Sequence, residues 1–511
     1  MEANGGIEIE RKFDVDELAV LPGLTELPGV HAVAEPMIHD LEAVYFDTSD
    51  LRLTVAHITL RRRTGGDDAG WHLKLPQGGG RRREVHAPLG KHSQDEADAV
   101  PESLAQLVRV YVRDSPLIPV ARLNTTRVVR ALVGAGGETL AVFCDDRVQA
   151  ERLGHEPASA AWREWELELV DAPEDLLDAA QAVLASAGIL VSQHPSKLAR
   201  ALGDRFPATP APNRKRPTPT RPAATVLLAS LREQISVIRT QDPEIRQQRA
   251  GSVHAMRVAT RRLRSVLATY ESLVDPAVVQ HLRTELGWLA AVLGGARDEE
   301  VLHHRLASLL DHEAPALLLG PIRERLETRS GTDAGSAGRI LVAALDSGRY
   351  FRLLDALEDL EVPDALVATP LFTAAAGQDA RVVVPALLKK EWKKLRSAVR
   401  HAAKTVPGPE RDLALHAVRK RAKRLRYAAE TAHPLNPERA ARVSGFAQKL
   451  QTILGDQHDS VIARDRLLQR GGVEAYLRGE NTFSYGRLHA LEQLRAADAE
   501  AHFWKAWSRR A

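Results

Sequence analysis

One set of basic residues occurs twice in this sequence in the same register, and its chemistry is that of an anion-binding site. Each copy carries a histidine, an arginine, a basic pair, a leucine and a final arginine at identical spacing. The shared basic positions are His254, Arg257, Arg261, Arg262 and Arg264 in the first copy, and His416, Arg419, Lys423, Arg424 and Arg426 in the second. A further match, residues 293–298 with residues 454–459, follows each copy at nearly the same distance. Two matching segments at the same spacing in both copies indicate a duplicated helical unit.

Both copies predict an amphipathic helix with one basic face. At about 100° per residue, His254, Arg257, Arg261 and Arg264 share one side of a helix. The apolar side is predicted to hold Met256, Ala259, Leu263, Val266, Leu267 and Tyr270, and in the second copy Val418, Leu425 and Ala429. A solvated face normally pairs acidic with basic residues four apart, yet neither copy contains an acidic residue. Unrelieved positive charge therefore favours a polyanion partner over a solvated face.

The first 204 residues contain a second kind of charged pattern, at the period of β-strands. Polar and apolar residues alternate in short runs, and charges of both signs occupy the polar positions. The groups that share a strand face are Glu8, Glu10 and Lys12; Arg61 and Arg63; His72 and Lys74; and Glu164, Glu166 and Glu168. For any one strand, a solvated outer face explains the charges equally well.

Three glutamates on one strand face argue against that solvated alternative. Like charges so close repel, and a divalent metal with its preference for oxygen ligands relieves the repulsion most simply. The lysines and arginines of the other strands would meanwhile bind phosphate oxygens. If the charged faces turn inward, the strands form a barrel whose polar lumen holds metal and phosphate together, and closure removes exposed sheet edges.

Residues 1–204 resemble the CYTH, or triphosphate tunnel metalloenzyme, domains. The resemblance rests on an ordered series of motifs: Glu8-x-Glu10-x-Lys12, Tyr45-Phe46-Asp47-Thr48, Leu60-Arg61-x-Arg63, Trp71-x-Leu73-Lys74, Arg83-Glu84, Arg127, Asp145-Asp146, Glu164-x-Glu166-x-Glu168 and Ser196-Lys197. It implies an antiparallel eight-stranded β tunnel with helices, which binds a linear triphosphate and uses Mg²⁺ or Mn²⁺.

The same resemblance implies a role for each charged position. The implied metal ligands are Glu8, Glu10, Asp145, Asp146, Glu164, Glu166 and Glu168. The implied phosphate-binding residues are Lys12, Arg61, Arg63, Lys74, Arg83, Arg127 and Lys197. The catalytic candidates are Glu8, Glu10, Lys12 and Lys74.

Two alternatives stay open within this assignment. Either Asp145 or Asp146 faces the lumen, and any one of the consecutive Arg81, Arg82 and Arg83 could enter it. In the Tyr45–Thr48 motif, the two aromatic residues are interpreted as packing residues. The Asp47-Thr48 pair that follows them is predicted to form a turn.

From Val226 onward the pattern is helical. Amphipathic segments are separated by prolines and glycines, namely Pro276, Pro321, Pro363, Pro434, Gly331 and Gly348. Residues 225–511 resemble the CHAD domain, a conserved-histidine α-helical domain, because both halves of the duplication match it. The resemblance implies two helical bundles, at about 225–385 and 386–511, related by a pseudo-twofold axis. It also implies that their basic helices line a cavity that binds inorganic polyphosphate, and the basic residues 389–396 could extend this surface.

Length and composition indicate how the chain is divided into domains. A chain of 511 residues is too long for a single core. A segment rich in proline and arginine, residues 205–224, is predicted to link an acidic domain of residues 1–204 to a basic domain of residues 225–511. The fold class predicted is thus α+β and multidomain, a β tunnel followed by an all-α duplicated domain.

The same composition predicts the cellular compartment. The single cysteine, Cys144, excludes a disulfide framework. The sequence shows no signal peptide and no apolar run of roughly 20 residues that could span a membrane. We therefore expect a cytoplasmic protein with no membrane partner.

The function predicted is a Mg²⁺- or Mn²⁺-dependent hydrolase of inorganic triphosphate coupled to a polyphosphate-binding helical domain. One alternative is a non-catalytic polyphosphate-binding protein associated with polyphosphate granules. Another is a hydrolase of thiamine triphosphate or a nucleoside triphosphate. Nucleic acid is an unlikely partner, because aromatic residues make up only 5% of the chain and the basic helices lack the interleaved aromatics that stack on bases.

Overall fold

The computed structural model describes residues 7–78, 81–90, 99–154, 156–207, 222–361 and 371–509. The chain divides into two compact units, Met1–Asn213 and Arg214–Ala511. The first unit is built on an antiparallel β-sheet with helices, and the described part of the second consists of helices and their connections. This is the fold class predicted from the sequence.

The sheet of the first unit contains eight strands of six or more residues and three of two residues. The strands are β1 (Ile7–Glu8), β2 (Glu10–Val15), β3 (Ala32–Val33), β4 (Met37–Asp47), β5 (Thr59–Thr64), β6 (Gly70–Gly78), β7 (Arg81–Ala87), β8 (Ile118–Val133), β9 (Thr139–Arg152), β10 (Ala158–Leu169) and β11 (Leu190–Val191). Their order is β1-β7-β6-β5-β4-β8-β9-β10-β2-β11, and β3 pairs with β8. The eight long strands agree with the eight-stranded tunnel that the resemblance implies.

One N-terminal segment pairs with strands at distant places in this order. β1 is antiparallel to β7, β2 is antiparallel to β10, and only Ile9 lies between β1 and β2. The sheet is therefore not one continuous closed ladder, but it wraps into a tunnel-like wall. The strand register opposes Glu166 to Lys12 and Glu168 to Glu10, and it opposes Glu164 to Asp146. The charged residues of three strands are thus brought to one inner face.

Alternation along β10 separates the charged inner face from an apolar outer face. Trp165 and Leu167 are buried between the glutamates of this strand, because successive strand residues point to opposite sides of a sheet. They share a core with Phe13 and Phe143 of the neighbouring strands and with Leu184. Leu184 belongs to α3 (Asp175–Ser186), which covers this side of the sheet.

Three further helices of the first unit complete its cores. They are α1 (Arg52–Val55), α2 (Glu102–Val112) and α4 (Lys197–Leu202). Leu104 of α2 packs with Phe46 and Trp71 on the outer side of the sheet. Leu198 of α4 packs with Trp162, which lies on the same face of β10 as Glu164. One stretch of the inner face is therefore filled by apolar side chains, and the next is charged.

Trp165→Ala is expected to lower the free energy of unfolding of the first unit by about 3–5 kcal/mol, the usual cost of truncating a large core aromatic. Trp165 is 0% exposed, and its ring meets that of Phe143 edge-on at 5.6 Å between centroids. Urea denaturation measures the change. Leu18→Ala is the control, because Leu18 is 91% exposed. Equal stability of the two variants would contradict the assignment of Trp165 to the core.

The second unit contains ten α-helices within its described residues. They are α5 (Ala223–Arg246), α6 (Ser252–Thr269), α7 (Pro276–Asp311), α8 (Ile322–Leu345), α9 (Gly348–Glu358), α10 (Ala380–Lys404), α11 (Pro409–Thr431), α12 (Pro437–Arg466), α13 (Glu474–Leu477) and α14 (Phe483–Ser508). A π-helical segment, Leu467–Val473, joins α12 to α13. None of the helices in the described part of the chain has the length and apolarity to cross a membrane.

Most of the predicted helix breaks fall at helix boundaries. Pro276 is the first residue of α7, Pro321 directly precedes α8, and Pro434 lies between α11 and α12. Gly348 opens α9. Gly331 was predicted to be a break but lies within α8, because an isolated glycine costs a helix only about 1 kcal/mol. Pro363 lies outside the described residues.

The duplicated sequence occupies two helices with matching neighbours. α6 carries the first copy and packs between α5 and α7, and α11 carries the second and packs between α10 and α12. The helices α6 and α11 also contact each other. Their apolar faces are buried as the periodicity predicts, with Met256, Leu263 and Val418 all 0% exposed. The basic faces lie on the side of each helix opposite to this apolar face.

Candidate functional site

A charged cavity of about 300 Å³ lies within the first unit. The residues of its wall that the sequence analysis assigned are Glu10, Lys12, Arg61, Arg63, Lys74, Arg127, Glu166, Glu168 and Lys197. The wall also contains polar residues that were not assigned, namely His39, Tyr45, Thr59, Asp67, Asp68, Arg82, Glu84 and Ser196. Most of the predicted metal and phosphate residues therefore line one space.

Three buried carboxylates form a group beside this cavity. One oxygen each of Asp146, Glu164 and Glu166 lie within 4.8 Å of one another. The pairing of β9 with β10 brings them together, because Asp146 is the register partner of Glu164. Several carboxylate oxygens at this separation are suited to a hard divalent cation such as Mg²⁺ or Mn²⁺.

Cations from three other elements contact these carboxylates. Lys197 Nζ lies 2.8 Å from Asp146 Oδ2 and 2.7 Å from both Glu164 Oε1 and Glu166 Oε1. Arg127 donates to Asp146 Oδ1 at 2.8 Å, to Asp146 Oδ2 at 2.6 Å and to Glu166 Oε2 at 2.6 Å. Lys12 forms an ion pair with Glu166.

These contacts keep both sets of groups ionised. Burial disfavours the charged form of Glu166, but Lys12, Lys197 and Arg127 outweigh it and hold the pKa of Glu166 well below its usual range. Burial likewise opposes ionisation of Asp146, and Lys197 and Arg127 lower the pKa of that carboxyl. Against burial, Asp146 and Glu166 raise the pKa of Lys197 well above its usual range. The site is therefore a network in which the buried carboxylates and the buried cations keep each other ionised.

Glu10 extends the network along β2. Its Oε1 lies 3.1 Å from Lys12 Nζ. Burial and the charge of Glu166 raise the pKa of Glu10, but Lys12 and Lys74 together outweigh them and the net shift is downward. Glu168, opposite Glu10 in the ladder, also lines the cavity. The side chain of Glu8 lies outside the described residues.

The cavity wall formed by β5, β6 and β7 carries most of the remaining cations. Burial, followed by Arg61 and Arg127, lowers the pKa of Arg63 to about 10. His72 Nδ1 lies 2.8 Å from Glu84 Oε1. Burial opposes ionisation of Glu84, but this hydrogen bond and the charge of Lys74 lower the pKa of Glu84 to about 2. This wall is thus rich in positive charge around a single ionised glutamate.

The prediction that Tyr45 only packs in the core was wrong in part. Tyr45 is buried, but it lines the cavity and its hydroxyl accepts a hydrogen bond from Arg61 Nη1 at 3.4 Å. Phe46 does pack as predicted, 5.0 Å from the Trp71 ring. The predicted turn is present after them, where the Asp47 carboxylate accepts from the backbone N–H of Thr48 at 2.7 Å.

The structure decides both alternatives that the sequence left open. Asp145 lies on the face opposite Asp146 and pairs with Arg163 at 2.8 and 2.7 Å, so we remove Asp145 from the proposed metal ligands. Arg82 lines the cavity together with Glu84, and Arg83 alternates to the other face of β7. Arg82 therefore replaces Arg83 among the proposed phosphate-binding residues. The side chain of Arg81 lies outside the described residues.

In the second unit, the two sequence copies converge on a shared group of cations. Burial and the charges of Arg261, Arg419 and Arg257 together lower the pKa of Lys423 to about 7. Two of these residues come from α6 and two from α11. We call Arg257, Arg261, Arg419 and Lys423 the central basic cluster. Asp459 raises the pKa of Lys423 but does not offset burial and these like charges. A bound anion would relieve the remaining repulsion.

The two repeat histidines lie in different surroundings. His254 is exposed on α6. The His416 ring lies 4.0 Å from that of His458 between centroids, and its buried Nδ1 has no hydrogen-bond partner among the described residues. Burial, followed by the charge of His458, lowers the pKa of His416 to about 4. His416 is therefore neutral near neutral pH.

The other predicted basic residues of the repeats have different neighbours. Arg262 and Arg426 both contact Glu430, at 3.2 and 2.7 Å, and both lie over the Tyr427 ring. Arg264 is exposed on α6. The pKa of Arg424 is lowered by burial, and its charged neighbours are Glu391, Arg421, Arg283 and Glu271. The structure thus places Arg424 away from the central basic cluster.

Comparisons with known proteins agree with this geometry. The chain matches the family model of the CYTH domain over residues 6–202 and that of the CHAD domain over residues 229–468. An uncharacterized protein of Mycobacterium tuberculosis strain CDC 1551 is 41% identical over 499 residues, covering 95% of this chain and 93% of that protein. A protein of strain H37Rv matches with the same values. The chain belongs to the family of proteins that join a CYTH domain to a CHAD domain, and a function related to triphosphate or polyphosphate follows from these domains.

Two solved structures are similar to part of the chain. PptA from Streptomyces chartreusis has a TM-score of 0.47 and 21% identity, covering 57% of this chain and 100% of that one. The CHAD domain from the plant Ricinus communis has a TM-score of 0.42 and 26% identity, covering 57% of this chain and 93% of that one.

Proposed function

We propose that this protein is a metal-dependent hydrolase of inorganic triphosphate whose helical unit binds polyphosphate. The observation that carries the proposal is the network of three carboxylates, Asp146, Glu164 and Glu166, with Lys197 among them at 2.7–2.8 Å. A site for a metal–triphosphate complex needs both signs of charge at close range, anionic groups for the metal and cationic groups for the phosphates.

The donor set fits a divalent metal. Asp146, Glu164 and Glu166 would hold Mg²⁺ or Mn²⁺, and Glu10 and Glu168 on the cavity wall are the further oxygen donors available. When bound, such a metal supplies charge neutralisation on phosphate oxygens and lowers the pKa of bound water. Hydrolysis of a phosphoanhydride requires no covalent nucleophile from the protein, because positioning and electrostatic stabilisation provide most of the catalysis.

The basic residues of the cavity would bind and orient the substrate. Lys12, Arg127 and Lys197 contact carboxylates in the described structure, and they would exchange these partners for phosphate oxygens as metal takes up the carboxylates. Arg61, Arg63, Lys74 and Arg82 line the rest of the cavity and would hold the chain in line for attack by water. Fixed cations around the phosphates would also stabilise the charge that develops in the transition state.

One assay tests the proposal against its alternatives. Phosphate release is measured from triphosphate, long-chain polyphosphate, thiamine triphosphate and ATP, with Mg²⁺, with Mn²⁺ and with excess chelator. We expect triphosphate to be hydrolysed fastest, and only with metal. Faster hydrolysis of thiamine triphosphate or ATP would reassign the substrate. No release from any of them would favour a non-catalytic polyphosphate-binding protein.

The central basic cluster is our proposed site for polyphosphate in the second unit. Four cations from two helices come together there, and Lys423 is only 8% exposed. A polyanion would compensate the mutual repulsion that lowers the pKa of Lys423. In this proposal hydrolysis belongs to residues 1–204 and polyphosphate binding to residues 225–511.

Polyphosphate affinity is expected to be constant below about pH 7 and to fall above it, by at most about tenfold per pH unit for one proton. In the free protein the Lys423 ammonium loses its proton near this pH, because burial and its arginine neighbours lower its pKa to about 7. A bound polyanion favours the protonated form, so binding takes up a proton and weakens as protons become scarce. The pKa of His416, about 4, places its titration below this range.

Lys423→Arg provides the control for this pH dependence. Arginine keeps the positive charge but stays protonated through this range, so its affinity should change little with pH. Calorimetric titrations in buffers of different ionisation enthalpy measure the proton uptake directly. The same pH slope in the wild type and in Lys423→Arg would show that Lys423 is not the titrating group.

A further inference from the structure

The loop between β5 and β6 contributes two further acidic residues to the wall of the cavity. Asp67 and Asp68 form part of the cavity wall. The Asp68 carboxylate forms an ion pair with Arg63, and its backbone carbonyl oxygen lies 2.9 Å from His72 Nε2. Since a carbonyl oxygen can only accept, His72 donates this hydrogen bond. Asp68 is thus attached at two points to residues that share a face with the proposed phosphate-binding set.

Two glycines fix the position of this loop. Gly65 and Gly66 have φ values of +79° and +70°, which residues that carry a side chain rarely adopt. A Cβ on Gly65 would lie 2.1 Å from the Asp40 carbonyl oxygen, and one on Gly66 would lie 2.9 Å from Leu41 Cδ2. The loop therefore lies directly against β4, and its path does not depend on the Asp68 side chain.

The placement of Asp68 has two electrostatic consequences. Arg63 is 8% exposed while Asp68 is 58% exposed, so the carboxylate lies at the edge where the cavity meets solvent. A phosphate that binds Arg63 competes with Asp68 for the guanidinium group. A phosphate chain that continues past Arg63 to solvent must then pass two negative side chains, which repel it.

We propose that Asp68 is a specificity-determining residue that selects short phosphate chains over longer ones. The proposal rests on the proposed triphosphatase function. It names the residue that limits the length of the phosphate chain used as substrate. Elsewhere on the inner face, Trp162 and Leu198 belong to an apolar core. Triphosphate can be held by the basic wall alone, whereas a longer chain has to place further charges beside Asp67 and Asp68.

The test compares kcat/KM for triphosphate, linear tetraphosphate and long-chain polyphosphate in the wild type and in Asp68→Asn. The amide keeps the shape of the side chain and leaves the backbone bond to His72 in place. We expect the ratio of tetraphosphate to triphosphate kcat/KM to rise about fivefold, the scale of one charge interaction at an exposed site. The increase should shrink at high salt, because exposed charges are screened.

Asp50→Asn is the matched control. Asp50 is another exposed aspartate paired with an arginine, Arg52 at 2.9 Å, but it is not among the residues of the cavity wall. The Asp50→Asn substitution removes the same charge from the same unit. Its ratio of tetraphosphate to triphosphate kcat/KM should therefore equal that of the wild type. A ratio that is unchanged in Asp68→Asn, or raised equally in both variants, overturns the inference while leaving triphosphate hydrolysis itself in place.

A second measurement separates failure of this inference from failure of the proposed function. Shifts in the melting temperature of the first unit with triphosphate and tetraphosphate are measured in an Arg257→Ala/Arg261→Ala background, which limits the contribution of the helical unit. Asp68→Asn should increase the shift for tetraphosphate more than that for triphosphate. If the wild type hydrolyses none of the substrates, the proposed function fails, and these shifts alone decide for or against the role of Asp68.

Discussion

Glu166→Gln is expected to reduce kcat for triphosphate hydrolysis by about a thousandfold, the upper range for loss of one preorganised electrostatic group. Glu166 contacts Lys12, Arg127 and Lys197, and it is one of three carboxylates that could hold a metal. The amide has nearly the same shape but no charge. It is therefore expected to weaken metal binding, and it removes one ion-pair partner of each of the three cations that we propose to bind phosphate.

Asp145→Asn is the control for this experiment. Asp145 neighbours Asp146 in the sequence, but it lies on the opposite face of β9 and pairs with Arg163. Loss of the Asp145 charge can lower stability, which thermal melting measures. Turnover at a temperature where both variants are folded should stay near the wild-type value. Undiminished turnover in Glu166→Gln, or full activity in excess chelator, would reject the metal site.

Two double substitutions in the central basic cluster are expected to weaken polyphosphate binding to a similar extent. They are Arg257→Ala with Arg261→Ala in α6, and Arg419→Ala with Lys423→Ala in α11. Each removes two cations from one shared group, and we expect a loss of about tenfold to a hundredfold, on the order of 1.4–2.7 kcal/mol for the two cations together. The dependence of affinity on salt should also become less steep, because fewer counterions are released from the polyanion.

The measurement is a titration of labelled polyphosphate at several salt concentrations. Arg421→Ala with Arg424→Ala is the matched control, because it removes the same charge from the same helix, and Arg424 lies among a different set of neighbours. An equal loss in the control would mean that net charge, rather than the cluster, governs binding. Duplex DNA that competes as well as polyphosphate at equal phosphate concentration would favour nucleic acid as the partner.

Much of the fold could be predicted because the sequence shows two clear periodicities, that of a β-strand and that of an α-helix. Alternation at period two in residues 163–169 predicted a strand with glutamates on one face and Trp165 and Leu167 on the other, and burial agrees. The helical period likewise predicted the buried faces of both repeats. These patterns are strong because one face of each element must be apolar to be buried.

The ambiguous positions are those where the local pattern contains no alternation. Asp145 and Asp146 are adjacent and chemically identical, so only the pairing of β9 with β8 and β10 decides which one faces inward. The run of three arginines at the start of β7 poses the same problem. A register shift of one residue exchanges the two faces, and the sequence of a single strand does not contain its register.

Tyr45 was misassigned because an aromatic residue next to Phe46 is typical of a core. A signal was nevertheless present, since Tyr45 has the same parity along β4 as His39 and Leu41, which also line the cavity. Contacts between distant elements were beyond prediction. The spacing of Arg426 and Glu430 suggests an ion pair within one helix, but the addition of Arg262 to that pair requires the packing of α6 on α11.

The pairing of residues 7–15 at two places in the sheet order sets the sequence of events during synthesis on the ribosome. The segment is synthesised before the other strands of the sheet, yet β2 finds its partner only in β10, which ends at Leu169. Until then its hydrogen-bonding groups are open to other chains, and contacts of such long sequence separation form slowly. We therefore expect β2 to stay unpaired until β10 has been synthesised. A chain shortened at the N-terminus would lose this strand together with Glu10 and Lys12, so that folding and the site would fail in one step.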